Sequence, residues 1–422
     1  MTRRPALGVA LGALASIVLL YVGVAGALTP PPSPPPPTPV VLPGGGTSPS
    51  PFPSTLRTPA PSAQAPEIRA QAAVLVDLDT GQVLFAHNPN ERRPIASLTK
   101  IMTALLVGER ADPTDVVTVS DEAASGRLAG ISGLGLVEGE RIRVNELLYA
   151  LLLQSANDAA VALAEHVSGS VDAFVDDMNA RAERLGLSRT MFASPNGLDD
   201  EGYSSAGDLA RLTRAAYRSP GFASVVATRM HAVTSLDEPP RIVQNRNVLL
   251  WLYPGAIGVK TGFTSPAGFC VVASAEREGM RLVAVLLGEP AEPFSDAAAL
   301  LNYGFTAFDR RTLVERGERL GIVEVAGREI PLTAGDSFRG LVPANRPIDR
   351  AVVLDDHVPY PPAVGSRIGV LRLSAAGGVL GEVPAIVANV PPPPPPVFGP
   401  WWARAVGAVV DAGAAVLDAV VG

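Results

Sequence analysis

Arg93-Pro94-Ile95-Ala96-Ser97-Leu98-Thr99-Lys100-Ile101-Met102-Thr103-Ala104 sets a serine and a lysine three residues apart where a helical pattern begins. Apolar Leu98, Ile101, Met102, Leu105 and Leu106 recur at helical spacing as far as Glu109, which places Ser97 and Lys100 on one side within a single turn. Ser97 at a helix start, just after Pro94, would meet an incoming carbonyl with unpaired backbone N–H groups.

Lysine is itself a signal in this chain. Of 34 basic residues only Lys100 and Lys260 are lysine; every other one is arginine. Arginine cannot lose its proton near neutral pH, and it cannot act as a compact point charge. A sequence that uses arginine wherever charge alone suffices therefore marks both lysines for chemistry. Lys260 opens Lys260-Thr261-Gly262, and Ser155-Ala156-Asn157 lies between the two lysines. Each triplet is common by itself, and their conjunction around the only lysines is specific.

These residue types suit acyl transfer to a serine. Ser97 is the expected nucleophile, and Lys100 the general base, its pKa lowered by a cleft and a second cation. Lys260 is expected to supply that cation. Ser155 would relay a proton to the leaving amine, while Asn157 holds Lys100 and the substrate amide. Thr261 and the backbone after it are expected on a strand edge, pairing with substrate as an added strand.

Working outward, residues 72–77 and 82–86 read as a hairpin around Asp79-Thr80-Gly81. Residues 145–166 read as helix broken near Ser155, and 268–275 and 281–288 as sheet-core strands. Short β-like runs at 321–325, 329–332, 351–354, 367–373 and 379–387 indicate a small all-β domain. The expected organisation is a signal peptide or membrane anchor over 1–27 and a Pro/Ser/Thr-rich linker over 28–66. A catalytic domain over 67–309 and a β-rich domain over 310–390 follow. The chain closes with a polyproline spacer over 391–400 and an apolar or amphipathic tail helix over 401–422. That tail is open to two readings, a membrane surface or its own protein.

Composition excludes other classes. A net charge of -7 without a basic tract argues against a general nucleic-acid binder. Cys270, the single cysteine, lies in the apolar run Phe269-Cys270-Val271-Val272-Ala273 and reads as a small buried hydrophobe. His87, His166, His231 and His357 are scattered with no i, i+4 pair, so no metal is expected. No cofactor is expected either, and no G-x-S-x-G elbow supports a Ser-His-Asp hydrolase.

The stretch around Ser97 resembles the nucleophile signature of the serine-type D-alanyl-D-alanine carboxypeptidases, the low-molecular-mass penicillin-binding proteins of peptidase family S11. Ser155-Ala156-Asn157-Asp158-Ala159-Ala160 resembles their second motif. Ser194-Pro195-Asn196-Gly197-Leu198-Asp199 followed by Tyr203-Ser204 is similar to another of their blocks. So is Arg246-Asn247 leading into Pro254-Gly255-Ala256-Ile257-Gly258-Val259-Lys260-Thr261-Gly262-Phe263-Thr264. The likeness covers about 67–308.

It implies a β-lactamase/transpeptidase-like α/β (α+β) domain, with an antiparallel sheet flanked by helices and a small C-terminal all-β domain. It implies an exported enzyme of the cell envelope that removes the terminal D-Ala from peptidoglycan stem peptides through an acyl-enzyme on Ser97, with β-lactams as inhibitors. The backbone N–H groups of Ser97 and Phe263 would form the oxyanion hole. Lys260, Thr261, Gly262, Phe263, Thr264 and Arg246 would contact substrate. One departure concerns carboxylate binding: some members carry an Arg just after the strand following K-T-G, where this chain has Gly288-Glu289-Pro290. That role then falls to Thr261, Thr264 or Arg246. The alternatives are a class A β-lactamase, disfavoured because residues 194–200 lack its E-x-x-L-N glutamate, and a non-hydrolytic penicillin-binding sensor.

Overall fold

Strand β1 (Ala72–Asp77) is apolar up to its last residue and buried along its whole length, the mark of a strand covered on both faces. It turns into β2 (Val83–His87). A one-turn 3-10 helix, Ala96–Thr99, runs directly into α1 (Lys100–Arg110). The short strands β3 (Val116–Thr118) and β4 (Arg141–Arg143) pair with each other, with α2 (Asp121–Ala124) between them in sequence. Next come α3 (Val144–Tyr149), a π turn (Ala150–Gln154), α4 (Asn157–Ser168) and α5 (Val171–Arg184). Helices α6 (Ala206–Ala216) and α7 (Pro220–Ala227) follow, each started by a serine, Ser205 and Ser219, that accepts a backbone N–H at its N-terminus. A second hairpin, β5 (Met230–Val233) and β6 (Arg241–Gln244), leads through α8 (Leu249–Leu252) to β7 (Ala256–Thr264). Strands β8 (Gly268–Arg277) and β9 (Met280–Glu289) and helix α9 (Pro293–Ala307) complete this part of the fold.

The five long strands form one antiparallel sheet in the order β2-β1-β9-β8-β7. Side chains alternate between its faces with the period of two that a strand imposes. Ala72, Val74, Cys270, Val272, Val283 and Val285 pack into the core shared with α1, α4, α5 and α6. Ala73, Leu75, Val271, Ala273, Leu282 and Ala284 pack on the other side, under Phe294, Ala297, Leu300 and Leu301 of α9. Strand β7 ends the sheet, so one edge of it is unpaired with any strand among the described residues, and the 3-10 turn that carries Ser97 packs beside it.

From Phe308 to Val387 the elements among the described residues are all β. Strands β10 (Phe308–Val314) and β13 (Phe338–Pro343) pair as one small sheet. The others, β11 (Arg319–Val325), β12 (Arg328–Ala334), β14 (Asp349–Leu354), β15 (Arg367–Ala375) and β16 (Gly378–Val387), form a second, ordered β11-β12-β16-β15-β14. Helix α9 continues into β10 without an intervening linker. Strands β10 and β13 correct the five-strand expectation for this region. Two joints fix it to the first sheet. Arg310 bonds Asp77 at 2.9 Å and lies 3.1 Å from Asp79. The Gln82 amide donates to Leu341 O (2.7 Å) and accepts from Leu341 N (3.2 Å), as a strand backbone would.

The structure, a computed structural model, describes residues 64–125, 132–199, 201–344, 346–375, 378–390 and 405–410. The expected export signal, nearly all of the Pro/Ser/Thr linker, and the polyproline spacer lie outside the described residues, as does the tail except for 405–410, which is helical. No helix among the described residues is long and apolar enough to cross a membrane.

Candidate active site

Ser97 sits in the one-turn helix directly after Ala96, which takes the left-handed conformation at φ 47. That conformation costs a non-glycine residue roughly 1–2 kcal/mol. A helix could have begun more cheaply; this turn instead brings the serine hydroxyl round to Lys100. Lys100 opens α1 and is wholly buried. Its Nζ donates to three oxygens: Ser97 Oγ at 3.0 Å, Asn157 Oδ1 at 2.8 Å and the Asn196 backbone carbonyl at 2.6 Å. Burial first, then the charge of Arg246, lowers the Lys100 pKa to about 7, with Asp158 pulling the other way. Arg246 is thus a further cation acting on Lys100, beside Lys260, with which Lys100 shares a mutual repulsion.

The Ser155-Ala156-Asn157 segment is a break between helices. The π turn ends at Ser155, left-handed at φ 66, and α4 starts at Asn157. Ser155 Oγ is buried and has no hydrogen-bond partner among the described residues. Asp158 accepts backbone N–H groups from Leu134, Gly135 and Leu136 at 2.8 to 3.2 Å. Together with Asn157 N to Ser132 O (2.9 Å) and Ser132 Oγ to Gln154 O (2.7 Å), this fastens residues 132–136 to the motif.

Strand β7 brings the third motif. Lys260 is buried and its Nζ donates to Thr261 O at 2.8 Å. Burial, then Lys100, then Arg246 push its pKa well down. Gly262 is opposite Cys270 in the ladder and turns its Cα towards the nucleophile. A Cβ there would lie 2.9 Å from Ser97 N and 3.2 Å from Ile95 O, so only glycine lets the strand approach so closely. Thr261 and Phe263 stand opposite Val271 and Phe269, on the alternate pleat. Phe263 is exposed, with its ring centroid 4.7 Å from that of Phe269. The Thr264 hydroxyl accepts from Ala267 N at 3.3 Å and so is engaged in the β7–β8 turn.

Arg246 is held by its neighbours on both sides. Its N–H donates to Leu153 O at 3.0 Å. Buried Asn245 donates to Val226 O and Thr228 O, and buried Asn247 donates to Gly258 O at 2.6 Å, two residues before Lys260. No carboxylate among the described residues pairs with Arg246, and burial lowers its pKa. Three cationic side chains thus act on one another, without a paired anion among the described residues.

Cys270 is buried on β8, opposite Gly262 of β7, its thiol pushed up to about 11 by burial. At the position without the downstream arginine, Glu289 is buried and its pKa is raised by burial and by Asp296. No group of three or more His, Cys, Asp or Glu among the described residues is arranged to hold a metal. Asn196 was not singled out by sequence, because its contribution is a backbone carbonyl. The hint was the Ser194–Asp199 block, which resembles the family without assigning Asn196 a part.

The profile of the D-alanyl-D-alanine carboxypeptidase family, Peptidase_S11, matches residues 60–291. The chain is 36% identical over 329 residues to the D-alanyl-D-alanine carboxypeptidase DacF of Bacillus subtilis, covering 75% of this chain and 84% of the relative. It is 40% identical over 273 residues to DacD of Escherichia coli, covering 62% and 69%. Among solved structures it is similar to penicillin binding protein 5 of Haemophilus influenzae, with TM-score 0.67 and 31% identity over 77% of this chain and 98% of that one. The DacD carboxypeptidase of Francisella tularensis gives TM-score 0.68 and 25% identity over 78% and 95%. With this family profile and these relatives, the chain belongs to the D-alanyl-D-alanine carboxypeptidases of peptidase family S11.

Proposed function

We infer that the protein is a serine D-alanyl-D-alanine carboxypeptidase that trims peptidoglycan stem peptides through an acyl-enzyme on Ser97. One observation carries the mechanism: the three partners of Lys100 Nζ. An ammonium has three N–H groups and donates to all of them. A neutral amine has two, and both are taken by Asn157 Oδ1 and the Asn196 carbonyl, which can only accept. The remaining lone pair must then face Ser97 Oγ, 3.0 Å away. Deprotonation of Lys100 therefore produces an aimed base rather than a freely rotating one.

Ser97 Oγ passes its proton to that lone pair and bonds to the carbonyl carbon of the penultimate D-Ala. The oxyanion that forms accepts from the backbone N–H groups of Ser97 and Phe263. The C–N bond then breaks, and the leaving amine takes a proton through Ser155 Oγ, whose hydroxyl has no other partner among the described residues. Water, activated by the same lysine, adds to the ester carbon and frees Ser97. β-Lactams acylate the same oxygen.

Of the three candidates for the substrate carboxylate, Arg246 is the best supplied, because it carries a full charge, acts on both lysines and has no carboxylate partner among the described residues. An arriving carboxylate offsets the repulsion among Arg246, Lys260 and Lys100, and so holds Lys260 protonated. The substrate lies outside the cytoplasmic membrane, and we place the enzyme there, in the cell envelope. Release of D-Ala from a peptide ending in D-Ala-D-Ala tests the reading. The intact protein should release it, and rates no higher than those of Ser97→Ala would refute it.

A further inference from the structure

We propose that Thr103 is a positioning residue for acylation: by holding the Pro195 carbonyl, its hydroxyl fixes the adjacent Asn196 carbonyl against Lys100. The proposal rests on Lys100 being the base for Ser97. Thr103 follows Lys100 by three residues on α1, on the same helix face, and is fully buried. Its Oγ1 donates to Pro195 O at 2.6 Å, and the next carbonyl along the chain, that of Asn196, accepts from Lys100 Nζ at 2.6 Å. One peptide unit therefore links the two contacts.

The loop has its own internal bonds, but these shape it without tying it to α1. Gly197 N donates to Ser194 Oγ at 2.9 Å, Leu198 N donates to Asn196 Oδ1 at 3.0 Å, and Ser194 also bonds Asp199. Apart from Lys100 itself, Thr103 makes the only side-chain hydrogen bond among the described residues between this loop and α1. The fit is close on the neighbouring side too, since a Cβ on Gly197 would fall 2.1 Å from Ala96 O and 2.8 Å from Thr99 Oγ1. A loop this closely seated, and tethered by one hydroxyl, transmits small displacements of Pro195 to Asn196.

Loss of the tether has two consequences. The protonated form of Lys100 loses an acceptor, so its pKa falls. The neutral form loses one of the two acceptors that aim its lone pair, so the plateau rate of acylation falls as well. The other groups that face Lys100 are Ser97 on the one-turn helix, Asn157 and Asp158 on α4, Arg246 beyond β6 and Lys260 on β7. None of these is altered by a change at Thr103.

A chain with only two lysines makes the titration directly readable, because 13Cε-labelled lysine gives two side-chain signals for the whole protein. In Thr103→Val the Lys100 midpoint should move down by about one pH unit, and the plateau of Ser97 labelling by a fluorescent penicillin should drop about tenfold. Thr103→Ser keeps the hydroxyl and should titrate like the parent. A parental midpoint in folded Thr103→Val would overturn the proposal. So would a Thr103→Ser midpoint displaced as far as that of valine, because the methyl group and not the hydroxyl would then be responsible. If the valine protein does not fold, Thr103→Cys, with a weaker donor of similar size, carries the same expectation. The lysine titration needs no turnover, so its result stands apart from the acyl-enzyme reading, which fails if the parent releases D-Ala no faster than Ser97→Ala.

Discussion

The helix-flanked sheet and the all-β region treat polar groups in opposite ways. The first buries Lys100, Lys260, Ser155, Asn157, Asp158 and Asn196, and it holds Ala96 and Ser155 in the left-handed conformation beside them. From Phe308 to Val390 no polar or charged residue among the described ones is buried. The ion pairs there, Arg350 with Glu318, Arg367 with Asp355 and Arg372 with Glu382, lie on the surface. A buried lysine without a carboxylate partner costs stability. A fold keeps such groups where their altered protonation is used. The contrast puts the buried ionisable groups in the first region, to which the second is joined through Arg310 and Gln82.

The contrast breaks most sharply at Lys100. Lys100→Arg keeps the charge but not the ability to lose it, and should lower acylation by a fluorescent penicillin about 10³-fold or more. Labelling close to the parental rate would show that this buried cation is not the base.

Arg246 comes second. Above the Lys100 midpoint, Arg246→Gln should raise KM for a peptide with a free terminal carboxylate by about tenfold, and hardly change acylation by a substrate whose terminus is amidated. The same change removes a cation that lowers the Lys100 pKa, so the pH at which acylation switches on should move up. Equal losses on both substrates, with an unmoved pH profile, would assign Arg246 a merely structural part.

The smallest effect belongs to the all-β region. Arg372→Ala removes an exposed 2.8 Å pair with Glu382 and should cost about 0.2–1 kcal/mol in denaturant unfolding, with D-Ala release unchanged. A loss of activity there would mean that the β strands do more than carry the first region.

Much of this was legible in the residues, because the chemistry depends on side-chain type. Ser97, Lys100, Ser155, Asn157 and Lys260 could be picked out by motif and by the scarcity of lysine, and β1, β2, β8 and β9 by unbroken apolar runs. The Asn196 carbonyl was hidden, since every residue has one and only the fold selects which is aimed at Lys100. Arg246 stood out as a carboxylate candidate, but its field at Lys100 depends on a distance that no spacing records. Strands β10 and β13 were missed for a different reason. Phe308–Val314 carries three charged residues and buries only Val314, so no alternation of apolar side chains marks it.

The central claim is that Lys100 must lose its proton before Ser97 can attack. The second-order rate of Ser97 acylation by a fluorescent penicillin, followed from about pH 5 to about pH 9, tests it directly. Below its pKa Lys100 is charged and has no lone pair to offer; above it the lone pair faces Ser97. The rate should therefore rise with pH through a single midpoint near the value of about 7 set by burial and Arg246. A rate that is flat across this range, or that falls as pH rises through neutrality, would contradict the account.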